Sequence, residues 1–338
     1  MGFSLLTFNT RDFFDDEPPF VISNLDKGGF TGKRRRRARH LFEAKLDAIT
    51  QVIHDCDADV LCLQEVGGPR ALERLAERLD KLRLGYAHCL LGPETDSRGI
   101  CVALLSRFPL RESSAEEARD GVDRSCPIPA LDEGQPLLGF VDMRRGMIDV
   151  IVDVPQVRTG MPHAGEPAQP VNVIVVHLKS HNPMIFGIPR LQSDLSLGVY
   201  RSALYRMAEA QFLRQLLDRR LLQNSRSRVV VAGDFNEHVH SVVMRMICGS
   251  EIERGRRGLE THAFRSCCLS VPEEDRYSLI YRGKRFLFDN VLVSPALWEQ
   301  FKETKILNER LVDISRAIAK GGPLVPDSDH AAVKCSFG

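Results

Sequence analysis

Short runs of consecutive apolar residues recur along the chain, and most of them end abruptly in polar residues. The clearest run is residues 229–233, Val-Val-Val-Ala-Gly, which is followed at once by Asp234, Asn236, Glu237 and His238. Runs of this length and composition are typical of strands that are buried on both faces. Similar runs predict further strands at residues 3–8, 60–63, 101–105, 171–178, 286–293 and 331–337.

Apolar residues spaced three and four positions apart predict amphipathic helices between some of the strands. These helices lie at about residues 42–56, 69–82 and 202–222. Residues 148–154 instead alternate between apolar and polar, which predicts a strand with one buried face. Strand pairs without an intervening helix occur in the middle of the chain. The pattern therefore favours two packed mixed β-sheets with helices outside, an α/β (α+β) fold, over a simple doubly wound parallel sheet.

We expect a single domain over residues 1–338, with long loops at about residues 10–38, 111–146 and 155–170. The first loop contains the basic run Lys33–Arg37. This run is either a solvated flank or a contact to a phosphate backbone. Its residues Arg34, Arg35 and Arg36 are therefore weak candidates for substrate binding.

Composition and charge exclude several classes of protein. Lys and Arg number 46 against 45 Asp and Glu, a net charge of +1, so a nucleic-acid packaging protein is excluded and polyanion binding requires a local patch. No apolar run approaches the ~18 residues of a membrane span, and the first predicted strand leaves no room for a signal peptide. The nine cysteines are scattered and are expected to be reduced. We expect a cytoplasmic protein without membrane insertion, and no obligate protein partner is evident.

Polar groups gather at the predicted strand boundaries, and each alone is compatible with an ordinary turn or cap. The set comprises Asn9, Glu65, His177, Asp234, Asn236, Asp289, Asp329 and His330. Together they predict a site, because ligand sites form where strand ends meet at one rim of a sheet. A carboxylate and an amide two residues apart, as in Asp234 and Asn236, suit a hydrolytic site that handles phosphate and a metal ion. Asp289 falls inside a predicted strand, where its burial is costly unless it is paired.

In these residues the chain resembles the endonuclease/exonuclease/phosphatase superfamily, whose fold is typified by pancreatic deoxyribonuclease and abasic-site endonucleases. The resemblance rests on an ordered set of short pieces that spans residues 7–330: Thr7-Phe8-Asn9, Leu63-Gln64-Glu65, Ser106-Arg107-Phe108-Pro109, Val176-His177-Leu178-Lys179-Ser180, Gly233-Asp234-Phe235-Asn236, Phe288-Asp289-Asn290-Val291-Leu292-Val293-Ser294 and Ser328-Asp329-His330. It implies a four-layer sandwich and the divalent-metal-dependent hydrolysis of phosphoester bonds.

The resemblance also implies a metal site. Glu65 matches the principal Mg²⁺ ligand of the family, with Asn9 and Asp329 close by, and Mn²⁺ is the alternative cation. Oxygen ligands of this kind are what Mg²⁺ prefers. One departure matters: abasic-site endonucleases carry a metal-binding Asp two residues after the Asn, where this chain has Arg11. Either the metal shell is thinner here, or Asp12 substitutes, or Arg11 contacts the phosphate.

Catalytic roles follow from the same resemblance. His330 would pair with Asp289, which fixes the tautomer of the imidazole and favours its charged form. Asp234 would orient or deprotonate the attacking water. Asn236 and His177 would donate hydrogen bonds to the non-bridging phosphate oxygens. Lys179, just past the strand that ends in His177, is a further weak candidate for substrate binding.

Three functions remain open. A phosphodiesterase acting on nucleic acid is favoured by His177, which deoxyribonuclease-like members carry, and by the basic run. A phosphatase or phosphodiesterase for inositol phosphates or a sphingomyelin-like lipid is less favoured. Phe288-Asp289-Asn290 stands where inositol polyphosphate phosphatases have Trp-Cys-Asp-Arg, and no exposed apolar hairpin is identifiable. A catalytically inactive binding scaffold ranks last, because nearly every expected catalytic position is filled. No base-stacking aromatic cluster is evident, although Phe13, Phe14, Phe20 and Phe30 in the early loop are candidates.

Overall fold

The fold is known from a computed structural model, which describes residues 2–15, 32–93, 98–112, 125–128, 139–155, 169–249, 262–313, 315 and 328–338. For residues 32–40, 125 and 127 only the backbone is described. Within these residues lie two six-stranded mixed sheets with helices, which confirms the predicted fold class.

Each sheet combines parallel and antiparallel neighbours. In spatial order the first sheet contains β15 (Phe301–Ile306), β16 (Val333–Phe337), β1 (Phe3–Phe13), β2 (Val60–Val66), β4 (Cys101–Ser106) and β3 (His88–Leu91). The second contains β11 (Arg265–Ser266), β14 (Asp289–Val293), β10 (Val229–Asp234), β9 (Gln169–His177), β8 (Met147–Val154) and β5 (Leu110–Glu112). Two small hairpins pair β6 (Ser125–Ile128) with β7 (Gly139–Asp142), and β12 (Leu279–Tyr281) with β13 (Lys284–Phe286). The parallel pairs are β1 with β2 and β9 with β10.

Helices cover the outer faces of both sheets. They are α1 (Gly32–Cys56), α2 (Pro69–Lys81), α3 (Gln192–Gln223) and α4 (Val242–Cys248), while the single turn α5 (Pro295–Trp298) packs against the core between the sheets. Short 3-10 turns lie at Cys267–Ser270 and Glu273–Asp275. One apolar core joins the two sheets, a second joins the first sheet to α1 and α2, and a third joins the second sheet to α3 and α4. The layers therefore run helix, sheet, sheet, helix.

Several element boundaries differ from the sequence prediction. β1 continues to Phe13, and α1 begins at Gly32, so the basic run lies in the first turns of a helix and not in a loop. α3 begins at Gln192, earlier than the sequence predicted. Apolar side chains in its first turns are exposed, so the regular apolar stripe on which the prediction depended is missing there. The hairpin of β6 and β7 lies in a stretch that was expected to have little regular structure. Residues 156–168, within the third expected loop, lie outside the described part.

The cysteines form no disulfide bonds, as the sequence predicted. All nine cysteines are free, and most are buried, although Cys89 is exposed. Among the described helices, none combines the length and apolarity needed to cross a membrane.

Candidate active site

The strand directions bring the polar groups to one rim. His177 and Asp234 are the last residues of the parallel strands β9 and β10, and they lie side by side in the register. β14 runs antiparallel to β10, so its first residue, Asp289, pairs with Asp234. Parallel β1 and β2 likewise bring Asn9 and Glu65 to the same end of the first sheet. The polar groups of neighbouring strands therefore lie together at one end of each sheet.

Asp289 begins its strand and does not lie in the middle of one, which corrects the sequence prediction. The strand pairing stops at Phe288 because local groups take its backbone hydrogen bonds. The N–H groups of Phe288 and Asp289 both donate to Oγ of Ser278, at 3.1 and 3.0 Å. The Phe288 carbonyl accepts from the N–H of Phe235 at 2.9 Å. These hydrogen bonds fix the backbone from which the Asp289 side chain extends.

Gly233 sets the close approach of β10 to β9. A Cβ at this position would lie 1.9 Å from the carbonyl oxygen of Val176, and the residue has a φ of +158°. Only glycine avoids this clash with backbone. The glycine before Asp234 is therefore required by the packing of the two strands that carry the site.

The Asp234 carboxylate lies at the centre of the site and is buried. Its Oδ1 accepts the N–H of Asn236 at 2.8 Å, and its Oδ2 accepts Nδ2 of Asn9 at 2.9 Å. Nε2 of His177 lies 3.4 Å from the same Oδ2. Burial alone would raise the pKa of Asp234, but His177, the charge of His330 and the Asn236 N–H lower it below its usual value. Asp234 is therefore an ionised acceptor at neutral pH, and its bond to Asn9 joins the two sheets.

Asp289 and His330 form a buried pair beside Asp234. Nδ1 of His330 lies 2.7 Å from Oδ2 of Asp289. Burial opposes the charged imidazole, but the adjacent Asp289 carboxylate outweighs it and raises the pKa of His330 well above its usual value. Burial raises the pKa of Asp289 to about 6, against the lowering effect of His330. Ligand-type atoms of Asp234, Asp289 and His330 all lie within 4.8 Å of one another, as the strand-end pattern predicted.

Glu65 faces the same cluster from the first sheet. The pairing of β1 with β2 shifts register between Asn9 and Phe13, and this bulge contains Arg11 and Asp12 with φ of 46° and 47°. The bulge turns the N–H of Asp12 toward Oε2 of Glu65, which accepts it at 2.9 Å. Oε1 of Glu65 lies 3.8 Å from Nε2 of His177. Oε1 of Glu65 thus faces His177, while Oε2 is held by the bulge.

Among the described residues, only one carboxylate oxygen of Asp329 has a polar partner. Nη1 of Arg11 lies 3.4 Å from Oδ2 of Asp329. Oδ1 of Asp329 is buried and accepts no hydrogen bond from any described residue. Oδ1 of Asn9 accepts the N–H of Arg11 at 2.9 Å. A buried carboxylate oxygen without a donor, with the oxygens of Glu65 and Asn9, fits a hard divalent cation.

A buried ionic layer supports the site from α3, and sequence reasoning missed it. Glu209 accepts the N–H of Arg144 at 3.2 Å and the N–H of Lys179 at 2.8 Å. A guanidinium N–H of Arg145 donates to the Leu178 carbonyl, which also accepts Nδ2 of Asn236 at 3.0 Å. A signal was present: Glu209 is a charged residue between Ala208 and Ala210 in the apolar stripe of the predicted helix.

Of the groups proposed from the sequence to bind substrate, Lys179 is described with its contacts. The Lys179 ammonium donates to the carbonyls of Ser180 and Asn182, each at 2.9 Å, so it is committed to its own loop. The side chains of Arg34, Arg35 and Arg36 lie outside the described residues. Of the early-loop aromatics, Phe13 is fully buried, the Phe14 ring lies over Gly67, and Phe20 and Phe30 lie outside the described part.

An exposed apolar loop follows the β9 strand, whereas the sequence showed no such feature. Phe186 and Ile188 are 75% and 88% exposed. They line a surface cavity of about 240 Å³ together with Pro189, Arg190 and Arg201. The guanidinium of Arg201 lies 4.8 Å from the centroid of the Phe186 ring. The sequence analysis identified no exposed apolar hairpin, and this exposed apolar segment is a loop without strand structure.

Comparisons with known proteins agree with this architecture. A family model described as the Endonuclease/Exonuclease/phosphatase family matches residues 6–330. The human Nocturnin catalytic domain with bound sulfate anion superposes with a TM-score of 0.55 at 16% identity, over 100% of this chain and 94% of that one. An endonuclease/exonuclease/phosphatase from Beutenbergia cavernae DSM 12333 gives 0.53 at 17% identity, over 99% and 71%.

A third similar structure contains nucleic acid. The 3' phosphatase NExo from Neisseria, bound to product DNA hairpin, gives a TM-score of 0.50 at 16% identity, over 99% of both chains. At these identities the structural likeness shows the fold alone. Curated protein sequences give no significant match to the chain.

Proposed function

Since the chain belongs to the endonuclease/exonuclease/phosphatase family, whose members are phosphoester hydrolases, we propose that it is a divalent-metal-dependent phosphodiesterase that cleaves nucleic acid. One observation carries this proposal. Asp234, Asp289 and His330 converge within 4.8 Å at the same rim as Glu65, and no two of the four residues are neighbours in sequence. Such a constellation is costly to bury and is typical of a reaction centre.

Glu65, Asn9 and Asp329 would hold the cation, Mg²⁺ or Mn²⁺. Their oxygens suit a hard cation that keeps some of its waters. When bound, the cation would neutralise negative charge on the phosphate. Arg11 adds a permanent positive charge beside Asp329.

The chain's own groups would carry the proton transfer and the charge stabilisation. Asp234, held ionised, accepts a proton from the attacking water or orients it for in-line attack. His177 and Asn236 flank Asp234 and would donate hydrogen bonds to the non-bridging oxygens as charge builds on phosphorus. His330, kept protonated by Asp289, supplies a further positive donor to the phosphate.

Nucleic acid is the favoured substrate for two reasons. His177 is buried in the site with its Nε2 3.4 Å from Oδ2 of Asp234, and deoxyribonuclease-like members resemble this chain in carrying a His at this position. A structure with the same fold contains a product DNA hairpin. A second candidate, a lipid phosphoester, is favoured by the exposed Phe186 and Ile188, because exposed apolar side chains beside basic residues suit contact with a lipid surface.

A substrate panel tests the proposal. The panel contains plasmid, single-stranded DNA, RNA, inositol phosphates, sphingomyelin and bis-p-nitrophenyl phosphate, each with Mg²⁺ and with a chelator. We expect metal-dependent cleavage of a polynucleotide and of the small diester, and loss of both in Asp234→Asn. Asp55→Asn, an exposed carboxylate at the end of α1, is the matched control. Cleavage of sphingomyelin alone would replace the nucleic-acid proposal with the lipid one.

A further inference from the structure

A buried arginine on α3 joins the two loops that follow the parallel strands of the site. Arg206 is only 5% exposed, and its guanidinium contacts the loop after β9 and the loop after β10. Nη1 of Arg206 donates to the carbonyl oxygens of Lys179 and Ser180, at 3.2 and 3.1 Å. Nε donates to Oε1 of Glu237 at 2.6 Å, and Glu237 is itself buried. One side chain therefore ties together the two segments that leave the reactive strands.

Both loops contact Asn236. Glu237 is the next residue in the chain, so its ion pair with Arg206 anchors the backbone on one side of Asn236. Oδ1 of Asp234 accepts the N–H of Asn236 at 2.8 Å and anchors the other side. Between these anchors Asn236 has a φ of 51°, a left-handed conformation that is uncommon for residues other than glycine. The backbone conformation of Asn236 therefore depends on contacts from both sides.

The side-chain amide of Asn236 is oriented by the other loop. Its Nδ2 donates to the carbonyl of Leu178 at 3.0 Å, and Leu178 directly precedes the Lys179 carbonyl that Arg206 binds. This nitrogen has two N–H donors, so fixing the first also fixes the direction of the second. Arg206 thus acts on Asn236 in two ways, through Glu237 on its backbone and through the loop after β9 on its side chain.

We propose that Arg206 is a positioning residue, which aims the second N–H of the Asn236 amide at the substrate phosphate. This inference rests on the proposed phosphodiesterase function and names a residue on which its charge stabilisation depends. The arrangement requires a guanidinium, because its donors spread around a rigid plane and reach a carboxylate and two carbonyls at once. The three donors of a lysine ammonium extend from a single atom. Without the guanidinium Asn236 would be present but misaligned, and a misplacement of about 1 Å can lower a rate by about 100-fold.

Arg214 provides a matched control on the same helix. It is also a buried arginine, two turns and about 12 Å further along α3. Its guanidinium donates to Oδ1 of Asp218 at 2.7 Å and to the carbonyl of Ile247, at the end of α4, at 2.9 Å. Arg214 therefore makes the same kinds of contact as Arg206 but binds neither of the two loops.

Kinetics with bis-p-nitrophenyl phosphate test the role of Arg206. We expect Arg206→Met and Arg206→Lys to lower kcat by about 10- to 100-fold with little change in KM, while Arg214→Met keeps kcat. Glu237→Gln keeps the shape of the side chain and removes its charge. This variant should lower kcat by a smaller factor, and it tests the inference if the arginine variants do not fold. Full kcat in the folded variants would overturn the inference.

A double-mutant cycle shows whether Arg206 acts through Asn236. Asn236→Gly removes the amide and tolerates the left-handed backbone. In this background Arg206→Met should lower kcat little further, whereas a merely structural role would lower it by the same factor in both backgrounds. The corresponding cycle with Arg214→Met should be additive. Equal losses from Arg206→Met in the two backgrounds would overturn the inference.

The NMR signals of the Asn236 side-chain amide test the inference apart from catalysis. These signals are identified by their disappearance in Asn236→Gly. We expect Arg206→Met to shift them toward the values of a solvent-exposed amide, and Arg214→Met to leave them in place. Unchanged signals in Arg206→Met would overturn the inference even if the protein cleaves DNA. A shift in a protein that cleaves no diester would support the positioning role and count against the proposed function alone.

Discussion

A guanidinium nitrogen of Arg11 lies 3.4 Å from a carboxylate oxygen of Asp329, and Arg11 stands two residues after Asn9. The positive charge opposes a cation bound at Asp329. Arg11→Gln should therefore bind Mg²⁺ more tightly, by about 3- to 10-fold in a calorimetric titration. Arg111→Gln, which breaks the distant pair with Asp153, serves as control. Weaker binding by Arg11→Gln would instead mean that Arg11 orients Asp329.

The carboxylate of Glu65 should be needed to hold the cation. Glu65→Gln keeps the shape of the side chain and removes its negative charge, so divalent affinity and metal-dependent turnover should both fall by about 10-fold or more. Glu43→Gln, which removes a carboxylate paired with Arg74 on the helical face, should change neither. Unchanged Mg²⁺ affinity in the Glu65 variant would remove this residue from the metal site.

Asp289 and His330 should act as a unit. If the carboxylate holds the imidazole protonated and oriented, Asp289→Ala, His330→Ala and the double variant should lose similar amounts of turnover. A double-mutant cycle on kcat measures this coupling. Simple addition of the two losses would show that the residues contribute separately.

Lys179 should make the free energy of unfolding depend on pH in the alkaline range. Burial, with the positive charges of Arg145 and Arg144, lowers the pKa of Lys179 to about 8. Between pH 8 and the unfolded pKa of about 10.4 the unfolded chain binds more protons at this group, so its contribution to stability rises with pH. The free energy of unfolding of the wild type should therefore rise across this range relative to Lys179→Met. Parallel curves would contradict the expectation, and Lys305→Met, an exposed lysine, is the control.

The basic run should bind polynucleotide if the helix that carries it faces the substrate. Replacing Arg34, Arg35 and Arg36 with Gln should raise KM for a polynucleotide and flatten its salt dependence by up to ~3 contacts, while a small nitrophenyl diester is cleaved as before. Substitution of Lys81 and Arg83 at the far end of α2 is the control. Equal effects on both substrates would indicate a folding role for the run.

The positions of the reactive groups followed from the sequence because strand ends are marked by abrupt changes of polarity. His177 and Asp234 end their strands as predicted. The pairing of Asp289 with His330 was expected from the cost of burying Asp289 and from the family resemblance, and the structure contains it. These features depend on local composition and on a resemblance that spans nearly the whole chain.

Other features depend on tertiary contacts that periodicity does not encode. The two-residue bulge at Arg11 and Asp12 arises from how β1 pairs with β2, and Arg, unlike Asp, rarely adopts a left-handed backbone. The stacking of His181 on Phe288 joins segments far apart in sequence. The early start of α3 was hidden because Leu197 and Tyr200 are exposed.

The hydrogen bond from Asn9 to Asp234 crosses from one sheet to the other, so the reactive centre spans a seam between two halves of the sandwich. A slight sliding of one sheet past the other would move Asn9 and Glu65 away from Asp234 and His177 while each sheet stayed intact. Catalytic activity therefore requires the two sheets to keep their relative position, whereas secondary structure does not. Mild denaturant or heat should abolish catalytic activity before secondary structure is lost. A ligand that binds to both sheets at once should raise the temperature or denaturant concentration at which activity is lost.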